Sequence, residues 1–382
     1  MTNTTLGSPI PDPRSPFPVS SPYELLCFGN ALVDVFATVD AAWLDKRGIT
    51  EAVQHIPRGK AQELFEELKE KPGAEMVLSS GGAAANTAKV AALLGMKAAF
   101  CGCVCSSDEL ASFFEDDLRA AGVDPVLAKG SEKTGLCFAF NCGGGAARPE
   151  SAAQSGSCRI AASPGASLEF NEAAVRDDLI PNAEAIVLDG YILERRPLVQ
   201  HILQLASHCG IPITIDAASV FQIREKTEDI LLYSRNYPLI IFMNADESIV
   251  FYNTIKKGVC APEISGDREK ESFILREICP VLKFITEGDI FPIIVIKLGS
   301  RGAVVLAGGN IYREETFSII PRNTIGAGDA FCAAFTASWI RGRSIHECAS
   351  LGNKVARVIL EVPGTRIKSS NLKSFAKILR KP

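Results

Sequence analysis

Four short apolar runs, each closing on a polar residue, constrain this chain more than any other feature. Ala185–Leu188 leads into Asp189, Ile211–Ile215 into Asp216 and Leu239–Met243 into Asn244, while Ile293–Lys297 ends on its own lysine. Runs of this length and composition read as strands. Helical stretches lie between or near them, as at Pro197–Cys209. Earlier segments continue the rhythm: Leu25–Gly29 and Ala98–Val104 as strands, Gly59–Lys71 and Leu110–Ala121 as helices. Alternation of this kind predicts a mostly parallel sheet covered by helices. In an open sheet of that class the polar strand ends share the ligand-bearing edge. Taken singly, each of these residues is more often a cap or turn residue than a ligand.

Two glycine segments add chemistry. Asn323-Thr324-Ile325-Gly326-Ala327-Gly328-Asp329 precedes a helix carrying Phe331, Phe335 and Trp339 at i+4 spacing, which Gly342 ends. Small residues at a helix start leave backbone N–H groups uncovered, and the positive end of the helix dipole lies there, so the turn suits phosphate oxygens. A carboxylate at Asp329 repels such a ligand unless it takes a proton from an incoming hydroxyl; the bland alternative is a cap in the first turn. The second segment, Ser79-Ser80-Gly81-Gly82-Ala83-Ala84-Ala85-Asn86, opens a small-residue helix and implies close approach of a backbone or a ligand.

Leu136–Phe140 and Arg159–Ala161, joined through Gly143–Gly145, predict a β-hairpin, either a functional flap or a mobile surface feature. Residues Thr2–Pro22 hold six prolines and no periodicity, so 1–22 is expected to be a disordered tail. A net charge of -4 without a basic block argues against nucleic acid as the main partner. No apolar run is long enough to span a membrane, and the start lacks the pattern of a signal peptide. The expectation is therefore a cytoplasmic protein with no membrane partner. Cys101, Cys103 and Cys105 alternate and are expected on one strand face; the 12 cysteines as a set read as reduced core thiols. No paired C-x-x-C occurs, so metal ligation by cysteine is not expected.

With these segments in place the chain resembles the ribokinase-like (PfkB) family of carbohydrate and nucleoside kinases, nearest to its adenosine-kinase-like branch. Asn323–Phe331 matches the C-terminal signature and Ser80–Thr87 the N-terminal glycine signature. Gly29–Asp34, Asn244–Glu247 and Lys297–Gly302 match further motifs in order, over about Glu24–Arg366. The resemblance implies a three-layer α/β/α domain over 23–382 with a small β-sheet lid, from insertions at about 36–57 and 123–164. It implies ATP and magnesium. Asp329 would be the catalytic base, with Gly326, Ala327 and Gly328 forming the anion hole. Asn244, Glu247, Lys297, Gly299, Gly302 and Asn353 would serve ATP, with Glu247 acting on magnesium mostly through water. Asn30, Asp34, Gly81, Gly82 and Asn86 would line the acceptor site.

The implied reaction is transfer of the γ-phosphoryl group to a primary hydroxyl of a ribonucleoside such as adenosine, or of a sugar. The alternatives are a fructokinase- or ribokinase-type enzyme acting on a free hexose or pentose, and a non-catalytic sensor on the same fold. Phe36, Phe138 and Phe140 would either form an apolar wall against a nucleobase or pack as ordinary core. Asn323 departs from the aspartate that usually opens the signature, which removes a negative charge close to the nucleotide. Gly143–Gly156 is expected to be mobile without an acceptor. The implied assembly is a monomer, or a homodimer through the lid.

Overall fold

The computed structural model describes residues 22–71, 76–142, 158–256, 264–286, 292–317, 319, 321, 324–361 and 369–379. The proline-rich tail, Asn323 and the Gly143–Gly156 connection lie outside the described residues. Fourteen strands form two sheets among the described residues. The larger takes β1 (Leu25–Phe28), β5 (Ala98–Cys105), β6 (Val123–Gly130), β9 (Ile186–Asp189), β10 (Ile213–Asp216), β11 (Leu239–Asn244), β12 (Ile293–Lys297), β13 (Ala303–Ala307) and β14 (Asn310–Glu314). Its order is β14-β13-β12-β11-β10-β9-β1-β5-β6, parallel from β12 to β6, with β13 and β14 antiparallel. All residues of β1, β9 and β10 are buried, as both-face coverage of parallel strands requires.

Two apolar cores flank this sheet. Phe100, Phe242 and Val295 point into one with the helices Ala83–Leu93, Ala327–Ile340 and Ile345–Glu361. Leu188, Ile215 and Ile241 point into the other with the helices Arg196–His208 and Val220–Asn236. This is the three-layer α/β/α arrangement expected from the alternation of strands and helices. The three alternating cysteines divide: Cys101 and Cys103 enter the second core, whereas Cys105, the last residue of β5, enters the first. Among the described residues every cysteine is a free thiol.

The smaller sheet has the order β3-β8-β7-β2-β4, from β2 (Leu32–Thr38), β3 (Val53–His55), β4 (Met76–Gly81), β7 (Thr134–Asn141) and β8 (Cys158–Gly165). β7 and β8 are the hairpin expected from the sequence. Two boundaries differ. Val123–Gly130 is the edge strand of the large sheet, so the second excursion does not start at 123; the first reaches back to Leu32 and on to Gly81. The phenylalanines also separate. Phe138 and Phe140 pair with Val35 and Ala37, are fully buried and stack at 5.6 Å, with Trp43 edge-on to Phe140. They are core, not a wall. Phe36 shares the opposite face of β2 with Asp34, two residues away on a strand. No helix among the described residues is long and apolar enough to cross a membrane.

Candidate active site

The parallel register brings the polar strand ends together. Asp216 lies beside Asp189, and Asn244 beside Lys297. Lys297 Nζ donates to Asp216 Oδ1 at 3.2 Å and Oδ2 at 3.1 Å. Burial alone would lower the Lys297 pKa, but Asp216 and Glu247 outweigh it and hold the ammonium above its ordinary range. A charged lysine is thus fixed at the edge.

The glycine signature meets this lysine from above. Gly326 has φ +81°, a left-handed conformation that costs glycine little, and it turns the chain into the helix Ala327–Ile340. A Cβ on Gly328 would lie 3.3 Å from Lys297 Nζ, so the first helical turn and the ammonium share one small volume. The start of a helix and a cation converge there, and Ala327 N–H donates only a long bond, 3.5 Å, to the Thr324 carbonyl, an arrangement with the chemistry to attract an anion. Asp329 sits in the same turn, half-buried. Asn86 Nδ2 donates to Asp329 Oδ2 at 3.0 Å and Thr87 Oγ1 to the Asp329 carbonyl at 3.4 Å, tying the two glycine signatures together across the chain. Burial pushes the Asp329 carboxyl up to about 7; Asp216 adds to this, while the Asn86 hydrogen bond and Lys297 oppose it.

On the other side of Asp329, β2 and β4 close over a second polar group. Ser79 and Asp34 are register partners, and a Cβ on Gly81 would fall 2.1 Å from Asp34 Cγ. Gly82, at φ +92°, would place a Cβ 2.3 Å from the Asn30 carbonyl. Both glycines therefore permit the backbone to lie against Asn30 and Asp34. Burial raises the Asp34 carboxyl to about 7, against the pull of Lys89 and a hydrogen bond with Cys137. Lys89 donates to Ser79 Oγ at 3.1 Å and to the Ser80 carbonyl. Burial lowers its pKa, and the carboxylates Asp34, Asp117 and Asp329 counter that. Lys89 was not singled out from sequence, although it lies three residues after Asn86 on the same helical face.

A cavity of about 500 Å³ opens beside Lys297 and Gly328. Gly299, Gly302, Ala327 and Asn353 line it, with Phe317 and Phe331 as apolar surface. Asn353 Nδ2 reaches the Glu314 and Glu315 carbonyls at 3.5 and 3.4 Å. A smaller hollow of about 270 Å³ joins Asn244 to Lys297 and Gly299. Asn244 and Glu247 form a capping box on the helix Ala245–Ile255. Glu247 Oε2 accepts from Asn244 N at 2.7 Å and Oε1 from Asn244 Nδ2 at 2.8 Å. Burial lifts the Glu247 carboxyl to about 7, with Lys297 opposing and Asp216 adding. Among the described residues no three His, Cys, Asp or Glu side chains are grouped to hold a metal ion. Every residue expected at the site therefore lies on this one edge or on the strands and helices that cover it.

The same fold occurs among solved structures. The probable sugar kinase from Rhizobium etli superposes with a TM-score of 0.75 at 24% identity, covering 94% of this chain and 99% of that one. The adenosine kinase from Sinorhizobium meliloti superposes at 0.72 and 24%, covering 93% and 99%. In sequence, a 5-dehydro-2-deoxygluconokinase from Clostridium beijerinckii is 25% identical over 293 residues, 73% of this chain and 78% of the relative. The family model for pfkB family carbohydrate kinases matches residues 57–372, and the chain belongs to that family. It is accordingly a kinase acting on a small molecule, a sugar or a nucleoside.

Proposed function

We propose that the protein transfers the γ-phosphoryl group of ATP to a primary hydroxyl of a ribonucleoside such as adenosine or of a sugar, with Asp329 as the base. The observation that carries this is the convergence of Asp329, Gly328 and Lys297 on one volume, reached by Asn86 from the acceptor side. In this reading the acceptor hydroxyl sits between Asp34 and Asp329, and Asp329 accepts its proton as the bond to phosphorus forms. Gly326, Ala327 and Gly328 offer N–H groups, and Lys297 its charge, to the transferring group. Such a reaction needs in-line positioning and donors aimed at equatorial oxygens more than covalent help.

ATP fits the 500 Å³ cavity along Gly299, Gly302 and Asn353, with its phosphates toward Lys297. Magnesium suits the hard oxygen donors at the Asn244–Glu247 edge. Both Glu247 oxygens already accept hydrogen bonds from Asn244, so they are placed to hold an ion's water rather than the bare ion. When bound, magnesium would neutralise charge on the phosphate oxygens. The smaller sheet is read as a lid that keeps water from the reacting group.

A free sugar as acceptor is favoured by one finding: Phe138 and Phe140 are core and leave Phe36 alone on the Asp34 face. A competition assay with adenosine, inosine, cytidine, ribose and fructose at equal concentration, following ATP consumption, decides between nucleoside and free sugar. No turnover of any sugar or nucleoside in a broad panel would favour a non-catalytic sensor.

Acidity should act on activity and stability in opposite directions. A base with a pKa of about 7 must be deprotonated to work, so kcat/KM should fall about tenfold per pH unit below that value and level off above it. Asp34 and Glu247, also raised to about 7, and Asp329 bind protons in the native state that the unfolded chain has released. Their contribution to stability is therefore complete below about pH 4 and lost as pH rises through 7. Melting curves from pH 5 to 8 should show this decline, and Asp329→Asn should make it shallower. A decline of unchanged slope in that variant would remove Asp329 from the set.

A further inference from the structure

Arg195 lies where the short turn Gly190–Glu194 passes into the helix Arg196–His208, and no motif marks it. Its Nη2 donates to Asn30 Oδ1 at 2.7 Å, and its Nη1 to the Ser167 carbonyl at 2.6 Å. Ser167 follows β8, so this one guanidinium joins the end of β1 to the base of the smaller sheet. We propose that Arg195 fixes the orientation of the Asn30 amide, so that Asn30 meets the phosphoryl acceptor as a hydrogen-bond donor. The proposal rests on the reading of Asn30 as an acceptor-site residue and deepens it.

The orientation follows from chemistry. A guanidinium carries only donors, so the amide atom facing it must be the oxygen. The Asn30 NH₂ group then points away from Arg195. Asn30 is itself buried at 8% exposure, and its carbonyl is packed closely enough on Gly82 that a Cβ there would sit 2.3 Å away. Rotation of the side chain is thus opposed by the Arg195 bond, and movement of the backbone by packing.

A polarity follows for the ligand. Asn30 offers N–H groups, and four residues later Asp34 offers carboxylate oxygens. The acceptor must turn an oxygen lone pair to Asn30 and a hydroxyl hydrogen to Asp34. A hydroxyl, ring oxygen or carbonyl satisfies Asn30; a methylene in its place does not, and it leaves a buried N–H group unpaired. Arg195 is then a positioning residue that sets specificity through its neighbour.

The test uses whichever of adenosine, inosine, cytidine, ribose or fructose the wild type phosphorylates best, with binding of the same compound measured by calorimetry. Asn30→Asp keeps an oxygen toward Arg195 and removes the donors. It should melt no lower than the wild type, raise the acceptor KM at least tenfold and leave the ATP KM within twofold. Arg195→Met should also raise the acceptor KM, and Arg195→Lys should recover part of the loss. In an Asn30→Ala background Arg195→Met should add little, because both act through one contact. An Asn30→Asp enzyme with wild-type acceptor KM, or an Arg195→Met effect undiminished in the Asn30→Ala background, overturns the inference while leaving the kinase reading intact. Neither turnover nor binding of any of the five compounds by the wild type would overturn both. Should Asn30→Asp fail to fold, the Arg195 cycle still decides.

Discussion

Asp329→Asn is expected to lose about two or more decades of turnover while binding nucleotide as before. The substitution preserves size and the first-turn position, and the amide oxygen still accepts from Asn86, whose bond to Asp329 Oδ2 is 3.0 Å. What disappears is the ability to take a proton. The nucleotide contacts read here (Gly299, Gly302, Asn353 and Lys297) are untouched, and the anion site loses a nearby negative charge, so ATP affinity should hold or improve slightly. Titration calorimetry with a non-hydrolysable ATP analogue, run beside a single-turnover assay, separates binding from chemistry. Unchanged turnover would remove Asp329 from the role of base. A parallel fall in turnover and affinity would make it a structural cap of the helix Ala327–Ile340.

Much of the site was legible because it is written in strand ends and glycines. Asp189, Asp216, Asn244 and Lys297 each follow an apolar run, and the parallel register places them side by side whatever the helices between them do. Gly81 and Gly82 could be read as signs of close approach, and the approach is to Asp34 and Asn30. The phenylalanines were not legible. Phe36, Phe138 and Phe140 look alike in sequence, and only the pairing of Phe138 with Val35 shows that β7 presents its aromatics to the core while Phe36 stays with Asp34. A one-residue slip would reverse that assignment. The same holds for Cys105, which leaves the face of Cys101 and Cys103 at the end of β5.

Lys89 and Arg195 escaped for a different reason. A lysine on a small-residue helix and an arginine at a helix start are ordinary surface residues by pattern. Their roles come from contacts distant in sequence, such as the 165 positions separating Arg195 from Asn30. The helix Val220–Asn236 was also missed. It starts after Ala218, whose φ of +66° a residue with a Cβ seldom adopts, and Ser219 caps it. A turn held by tertiary packing leaves little trace in local composition.

Lys297→Met should have the second large effect, and it acts on stability and chemistry together. Asp216 is buried and Lys297 largely so, with side-chain exposures of 9% and 15%, and their ion pair is 3.1 Å long. Removing the cation leaves the Asp216 carboxylate unpaired beside Asp189, its register partner, and close to Asp329 and Glu247, whose pKa values it raises. Breaking a buried pair from one side costs about 3–5 kcal/mol, most of it the penalty of the stranded charge. Adding Asp216→Asn removes that charge at neutral pH, so the double variant should recover most of the stability. Turnover should not return with it, because the volume next to Gly328 still lacks the ammonium that faces the transferring phosphoryl group. Thermal melts of the single and double variants at neutral pH, with ATP turnover measured alongside, resolve the two contributions. A double variant that regains activity would make Lys297 a structural counterion only. A single variant as stable as the wild type would mean that Asp216 is neutralised by some other group at the sheet edge.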